Sequence, residues 1–141
     1  MKILFATDGS AAALAALASL TARRAWFRGD VELTLLHVHL QIPFRRAAAW
    51  AGHDVLQKYY DEESDAALAP AIAALEADGV AFRAEKRVGE PAPTIVTVAG
   101  EGGYDIVALG AQGHSALEHF MLGSVATKVV ATSSVPVLLL R

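Results

Sequence analysis

Ile3-Leu4-Phe5-Ala6-Thr7-Asp8-Gly9-Ser10-Ala11-Ala12-Ala13-Leu14-Ala15-Ala16-Leu17-Ala18-Ser19-Leu20 lies near the start of a chain of 141 residues. Ile3 to Thr7 is an apolar run of strand length, and Asp8-Gly9-Ser10 is a turn sequence. Leu14, Leu17 and Leu20, with Ala13, then recur three and four apart, the spacing of one helical face. A secretory signal also begins with a cation, here Lys2, followed by apolar residues. The charge and turn at Thr7-Asp8-Gly9-Ser10 interrupt the stretch and argue against that reading. Strand, turn and helix follow one another within twenty residues.

The same alternation continues along the chain. Further apolar runs at Val31 to Leu40, Val80 to Val88, Ile106 to Leu109 and Val135 to Leu140 read as strands. Helical spacing separates them: Leu68, Ile72 and Leu75 in one segment, Val125 and Val129 in another. Pro91 and Pro93 fit only a first helical turn, so Pro91 to Ala99 reads as a short helix with Gly100 after its end. Such alternation implies parallel strands joined by crossover helices, an α/β fold. Strands one, four and five are nearly continuous in apolar residues, as expected where both faces of a sheet are covered. Arg23, Arg24 and Arg28 fall at or beyond the first helix end, where cations oppose its carbonyl charge. Gln41 to Gly52, with Pro43, Arg45-Arg46 and Trp50, shows no period and reads as an exposed loop. Asp61-Glu62-Glu63 and Asp65 precede Pro70; they read as a solvated face, the alternative being a first turn with a kink at Pro70.

Composition bounds the function. The formal charge is -3 with no long basic run, which leaves no electrostatic footprint for nucleic acid or a membrane surface. There is no Cys, which excludes disulfides, thiolate zinc sites and a thiol nucleophile. No apolar run reaches the ~18 residues of a spanning helix, and cytoplasm is the default expectation. Of the 54% hydrophobic residues, 29 are Ala, so the core is expected from Leu, Val, Ile and the aromatics. The length fits one domain, 1–141.

In an open parallel sheet, ligands bind beyond the carboxyl ends of the strands, where the winding reverses. Here that places Asp8-Gly9-Ser10 opposite Gly110-Ala111-Gln112-Gly113. The second turn continues to Gly123-Ser124-Val125 with the spacing G-x2-G-x9-G-S. Glycines allow close approach of the backbone to an anion, and positive φ, so that successive amides face phosphate oxygens. Gly123-Ser124 opens the last helix, whose first amides lack intrahelical partners. Ser124 would add a hydroxyl donor or cap that helix, and Asp8-Gly9-Ser10 is also a helix-entry signal.

Ile3 to Ser10, the strand Leu36-His37-Val38-His39, the glycine motif and Ser134-Val135-Pro136-Val137-Leu138-Leu139 together resemble the universal stress protein family across essentially the whole chain. The resemblance implies an open, doubly wound five-stranded parallel sheet of order 3-2-1-4-5 with helices on both faces. It also implies the branch that binds ATP. Carried over, it puts Asp8 at the ribose hydroxyls or a bound metal and the Val38 backbone at the adenine edge. Gly110, Gly113, Gly123, Ser124 and Val125 would line the ribose and triphosphate. A carboxylate can accept from two vicinal hydroxyls, and a strand-end amide and carbonyl match a purine edge.

One departure matters. Many relatives place Arg or His where this chain has Gln112, and Ala108 to Leu122 contains no Lys or Arg. The triphosphate would then rest on amides, Ser124, the helix dipole and Mg²⁺, with help from His114 or His119, so binding is expected to need divalent metal. His37 and His39 share one strand face while Val38 points to the other; packing or exposure accounts for them better than a metal site. His114 and His119, five apart, are expected as separate loop or surface residues.

These residues point to an ATP-binding stress or regulatory protein acting on an unidentified protein partner. The enzyme alternative is a slow Mg²⁺-dependent ATP phosphohydrolase or a self-phosphorylating protein with Ser124 or Ser10 as acceptor. No catalytic set is evident: the motif has neither a Walker A lysine nor an arginine finger. A third reading is a dimeric scaffold without nucleotide. Flavodoxin-like, dinucleotide-dehydrogenase and phospho-acceptor folds are disfavoured, since the first turn lacks their hydroxyl-rich, G-x-G-x-x-G or paired-acid sequences. Val135 to Leu140 is an edge strand too apolar to leave open, so pairing with its copy across a two-fold axis is expected; the resemblance implies the same homodimer.

Overall fold

A computed structural model describes residues 1–27, 29–43, 52–113 and 122–141. The strands are β1 (Lys2–Thr7), β2 (Glu32–His39), β3 (Phe82–Val88), β4 (Ile106–Gly110) and β5 (Val137–Leu140). The helices are α1 (Ala11–Ala22), α2 (His53–Ala77), α3 (Pro91–Glu101) and α4 (Ser124–Thr132), with a single 3₁₀ turn at Arg24–Trp26. All strand pairs are parallel, in the order β3-β2-β1-β4-β5. The chain starts at the centre, winds out to β3, returns beside β1 and winds out again to β5, so the winding reverses between β1 and β4. Among the described residues no helix is long and apolar enough to cross a membrane.

The two sheet faces carry separate cores. On one, Ile3, Phe5, Leu33, Leu35 and Ala108 meet Leu17 and Leu20 of α1 and Leu68 and Leu75 of α2. On the other, Leu4, Ala6, Leu36, Val107 and Leu109 meet Ile95 and Ala99 of α3 and Val129 of α4. Each large side chain so buried stabilises the fold by about 1.5–3 kcal/mol relative to exposure. Alanine contributes more than its small area suggested: Ala13, Ala16, Ala71, Ala92, Ala99, Ala108 and Ala126 are all buried where helices lie against the sheet.

Element ends differ from the sequence reading for local reasons. Val80 is not in β3, because its N–H donates to the Leu75 carbonyl and closes the turn after α2, with Gly79 at φ +62°. Residue 135 precedes β5, since its N–H donates to Ser133 Oγ and Pro136 has no N–H to offer the ladder. Helix α3 continues through Gly100, whose exposed site costs only propensity, and stops at Gly102 before Gly103 at φ +62°. The acidic run is mid-helix in α2 and solvated, which overturns the first-turn alternative; Lys86 reaches Asp65 at 3.0 Å and Asp61 at 3.6 Å. Pro70 lies inside that helix. Arg23 answers the α1 carbonyls as expected, donating to Ser19 O at 3.0 Å. Arg28 and most of the Gln41 to Gly52 stretch lie outside the described residues.

Candidate functional site

The turn after β1 is built from short side chains. Ser10 caps α1, its Oγ accepting from Ala13 N–H at 3.1 Å. Asp8 Oδ1 accepts from Ser10 N–H at 3.0 Å, and Thr7 Oγ1 accepts from Gly9 N–H at 3.2 Å. Gly9 has φ +77°, and a Cβ there would stand 2.9 Å from the Ala67 carbonyl oxygen, so only glycine suits the position. The helix-entry role thus falls to Ser10, while Asp8 braces the turn through one oxygen and directs the other across the reversal point. A Cβ on Gly113 would be 2.9 Å from Asp8 Oδ2.

The facing turn is equally tight. Gly123 N–H donates to Ala111 O at 2.8 Å, and Ala111 N–H donates to Leu140 O at 2.8 Å. A Cβ on Gly123 would be 3.4 Å from Gly113 N, and one on Gly110 would be 3.0 Å from Gln112 O. Close approach therefore presses on Gly110, which meets backbone, and on Gly113, which meets the end of a side chain that can move, while Gly123 has ordinary contact distance. Positive φ, the other reason expected for them, does not apply, since the positive values occur at Gly9, Gly29, Gly79 and Gly103. Gly123 itself is the N-cap of α4 and Ser124 the first helical residue; no side chain caps this end, so the capping alternative for Ser124 is corrected. Its hydroxyl is exposed at the cleft.

Between the two turns lies a cleft of about 230 Å³. Asp8, Val38, Gly110, Gly113, Gly123, Ser124 and Val125 all line it. Leu36, Pro91, Ile95 and Ala126 give it an apolar wall, and Gln112 adds an amide. Asp8 is the one ionisable residue in the described lining. Val38 is the last residue but one of β2, past the point where the ladder with β1 stops at Thr7 opposite His37. Gly89 N–H donates to the His39 carbonyl, which therefore faces β3. Strand carbonyls alternate in direction, so that of Val38 faces the opposite way, over the end of β1.

His37 lies behind this wall. It is buried on the α1 and α2 face, and its Nδ1–H donates to the Thr7 carbonyl at 2.9 Å. Burial holds its pKa below the ordinary value, the Thr7 hydrogen bond opposing and His39 adding to the shift. The neutral ring fixes the main chain one residue before Asp8, a role that the sequence reading of packing or exposure did not include. His39 meets Tyr59 edge-on at 5.7 Å and Tyr60 at a tilt at 5.0 Å between centroids. Among the described residues no three His, Cys, Asp or Glu converge as a metal site. Leu36, Pro91 and Ile95 were also missed. The period of two in β2 already put Leu36 beside Val38 on this face. His114 and His119 lie outside the described residues.

Comparison with known proteins agrees with this architecture. The sequence profile of the universal stress protein family matches residues 1–141. The chain is 31% identical over 140 residues to Universal stress protein MJ0531 of Methanocaldococcus jannaschii, covering 99% of this chain and 81% of that protein. It is 32% identical over 151 aligned positions to Universal stress protein YxiE of Bacillus subtilis, covering 99% and 98%. Among solved structures, the hypothetical protein MJ0577 superposes with a TM-score of 0.77 at 28% identity, over 99% of this chain and 94% of that one. A universal stress protein in complex with cAMP has a TM-score of 0.70 at 24% identity, over 100% and 97%. An Arabidopsis thaliana family member with AMP bound has a TM-score of 0.69 at 18% identity, over 99% and 90%.

Proposed function

The chain belongs to the universal stress protein family, and from that premise we propose that its cleft binds an adenine nucleotide and that the bound state regulates contacts with a protein partner. The observation that carries the reading is local to this chain. Seven residues that the family resemblance singles out, from β2, β4, α4 and the turns beside them, line a single cleft at the point where the winding reverses. Structural relatives with cAMP and with AMP bound supply the ligand class.

In this reading the apolar wall of Leu36, Val38 and Ile95 takes the purine, and the Val38 carbonyl accepts from its exocyclic amine. Asp8 accepts from the ribose hydroxyls. The glycines keep the throat clear of side chains, and the first turn of α4 offers amides and a hydroxyl to phosphate. With ATP, a divalent cation joins the ligand. Mg²⁺ favours oxygen donors, one or two carboxylates together with substrate phosphates, and Asp8 is the lining carboxylate that fits. Bound there, the ion would neutralise phosphate charge.

The protein also pairs with a second copy through β5, whose ladder with β4 is its one pairing among the described residues. Thermal unfolding with AMP, ADP and ATP, with and without Mg²⁺, tests the nucleotide reading. A ligand that binds the native state must raise the melting temperature, by an amount set by its concentration over Kd. The expected result is a saturable rise with at least one adenine nucleotide and none with adenine-free pyrophosphate. An unchanged melting temperature with all of them would reject the reading.

A further inference from the structure

We infer that the cleft selects for low phosphate charge, taking an adenosine monophosphate or its cyclic diester ahead of ATP whenever no divalent cation is present, and that Gln112 is the residue that sets this preference. The inference rests on the nucleotide reading above and goes on to the ligand that this chain's own charges admit. Five observations combine.

The described lining carries one ionisable group, and it is the acid Asp8. Its Oδ2 lies beside Gly113, at the throat between the sugar end of the cleft and α4. Gly123 N–H, which the glycine motif would otherwise offer to a phosphate, is taken by the Ala111 carbonyl at 2.8 Å. The whole stretch Ala108 to Leu122 has no Lys or Arg, while it does contain Glu118. On the neighbouring helix, Lys128 is exposed and paired with Glu90 at 3.2 Å.

A phosphate monoester carries a charge of about -1.5 to -2, and each further phosphate group adds to that. Against it stand amide dipoles and a helix terminus worth about +0.5, with the Asp8 carboxylate pulling the other way. That arrangement can hold one phosphate. A triphosphate brings its surplus charge toward an acid where the described lining offers that charge no Lys or Arg, so its β and γ groups add repulsion faster than hydrogen bonds. Gln112 lines the cleft next to Gly113, and an arginine there would add the cation that the described lining lacks.

Calorimetric titration of the full chain with AMP, cAMP, ADP and ATP, each in excess chelator and again with Mg²⁺, reads the preference directly. In chelator, AMP is expected to bind about tenfold or more tightly than ATP, with ADP between them. Mg²⁺ is expected to close most of that gap by tightening ATP and to leave AMP nearly unchanged. Gln112→Arg is expected to tighten ATP in chelator by about tenfold while changing AMP by less than about threefold. ATP binding in chelator as tight as AMP would overturn the inference and leave the nucleotide reading standing. A Gln112→Arg variant that folds and binds ATP no better would remove Gln112 from it. Failure of every nucleotide to bind would instead reject the underlying reading. If the variant does not fold, the wild-type ratio of AMP to ATP affinity decides the matter alone.

Discussion

Asp8 and the glycines around it shape the turns and, in the proposed reading, bind nucleotide with the same atoms, and substitutions can separate the two. A Cβ at Gly113 meets only Asp8 Oδ2, the end of a side chain, at 2.9 Å. Gly113→Ala is therefore expected to keep stability within about 1 kcal/mol while weakening nucleotide binding about tenfold or more. Gly9→Ala faces both a φ of +77° and the fixed Ala67 carbonyl, so it should lose about 1–3 kcal/mol in denaturant unfolding. His37 gives a pH dependence with a definite sign. Its folded-state pKa lies below the ordinary 6.5, so as pH falls the unfolded chain takes up the proton first. Its contribution is complete above about 6.5 and is lost between there and the folded-state pKa. His37→Gln should thus show a smaller fall in melting temperature from pH 7.5 to 5.5 than the wild type, read by circular dichroism; an equal fall would contradict this. The candidate site was legible at this scale where residues sit in turns, since Asp8, Gly110, Gly113 and Gly123 are punctuated in sequence. The wall of Leu36, Pro91 and Ile95 was not, because apolar residues facing a cleft look the same as those facing a core.

At the scale of elements, local chemistry decides where each begins. Ser10 caps α1 while itself buried, and its hydroxyl accepts from Ala13 N–H. Ser10→Ala should cost about 1 kcal/mol, within the usual 0.5–2, measured by chemical denaturation; Ser10→Asn should recover part of it. At α4 no side chain caps the start, so the free first-turn amides are left for a ligand or water. Existence and type of all five strands were legible, because β1 and β4 are unbroken apolar runs and β2 alternates His37 and His39 against Val38. Ends were less so. Val80 and Val135 looked like strand and are consumed by a helix-closing turn and by Ser133, tertiary and turn bonds that apolar character does not encode. The length of α2 was also hidden, since Val55, Leu56, Tyr59 and Tyr60 give a single helical repeat that the acidic run from Asp61 separates from Leu68.

For the whole molecule, the reversal of winding between β1 and β4 places the cleft, and β5, paired only with β4 among the described residues, is the edge proposed to meet a second copy. Leu138 and Leu139 are only partly buried by this chain, one against each core. If a second copy completes that strand, light scattering gives a dimer for the wild type and a monomer or insoluble material for Leu139→Lys; an unaltered dimer would reject the β5 interface. The parallel α/β class was legible in the alternation of strands and helices, and the strand order through the family resemblance. The central claim is that backbone at the reversal point holds an adenine nucleotide, and amide chemical-shift mapping by ¹H–¹⁵N NMR during an AMP titration tests it most directly. The account predicts saturable shifts at Asp8, Val38, Gly110, Gly113, Ser124 and Val125, with β3 and the far ends of the strands still. Shifts confined to other surfaces, or none at saturating AMP, would contradict it.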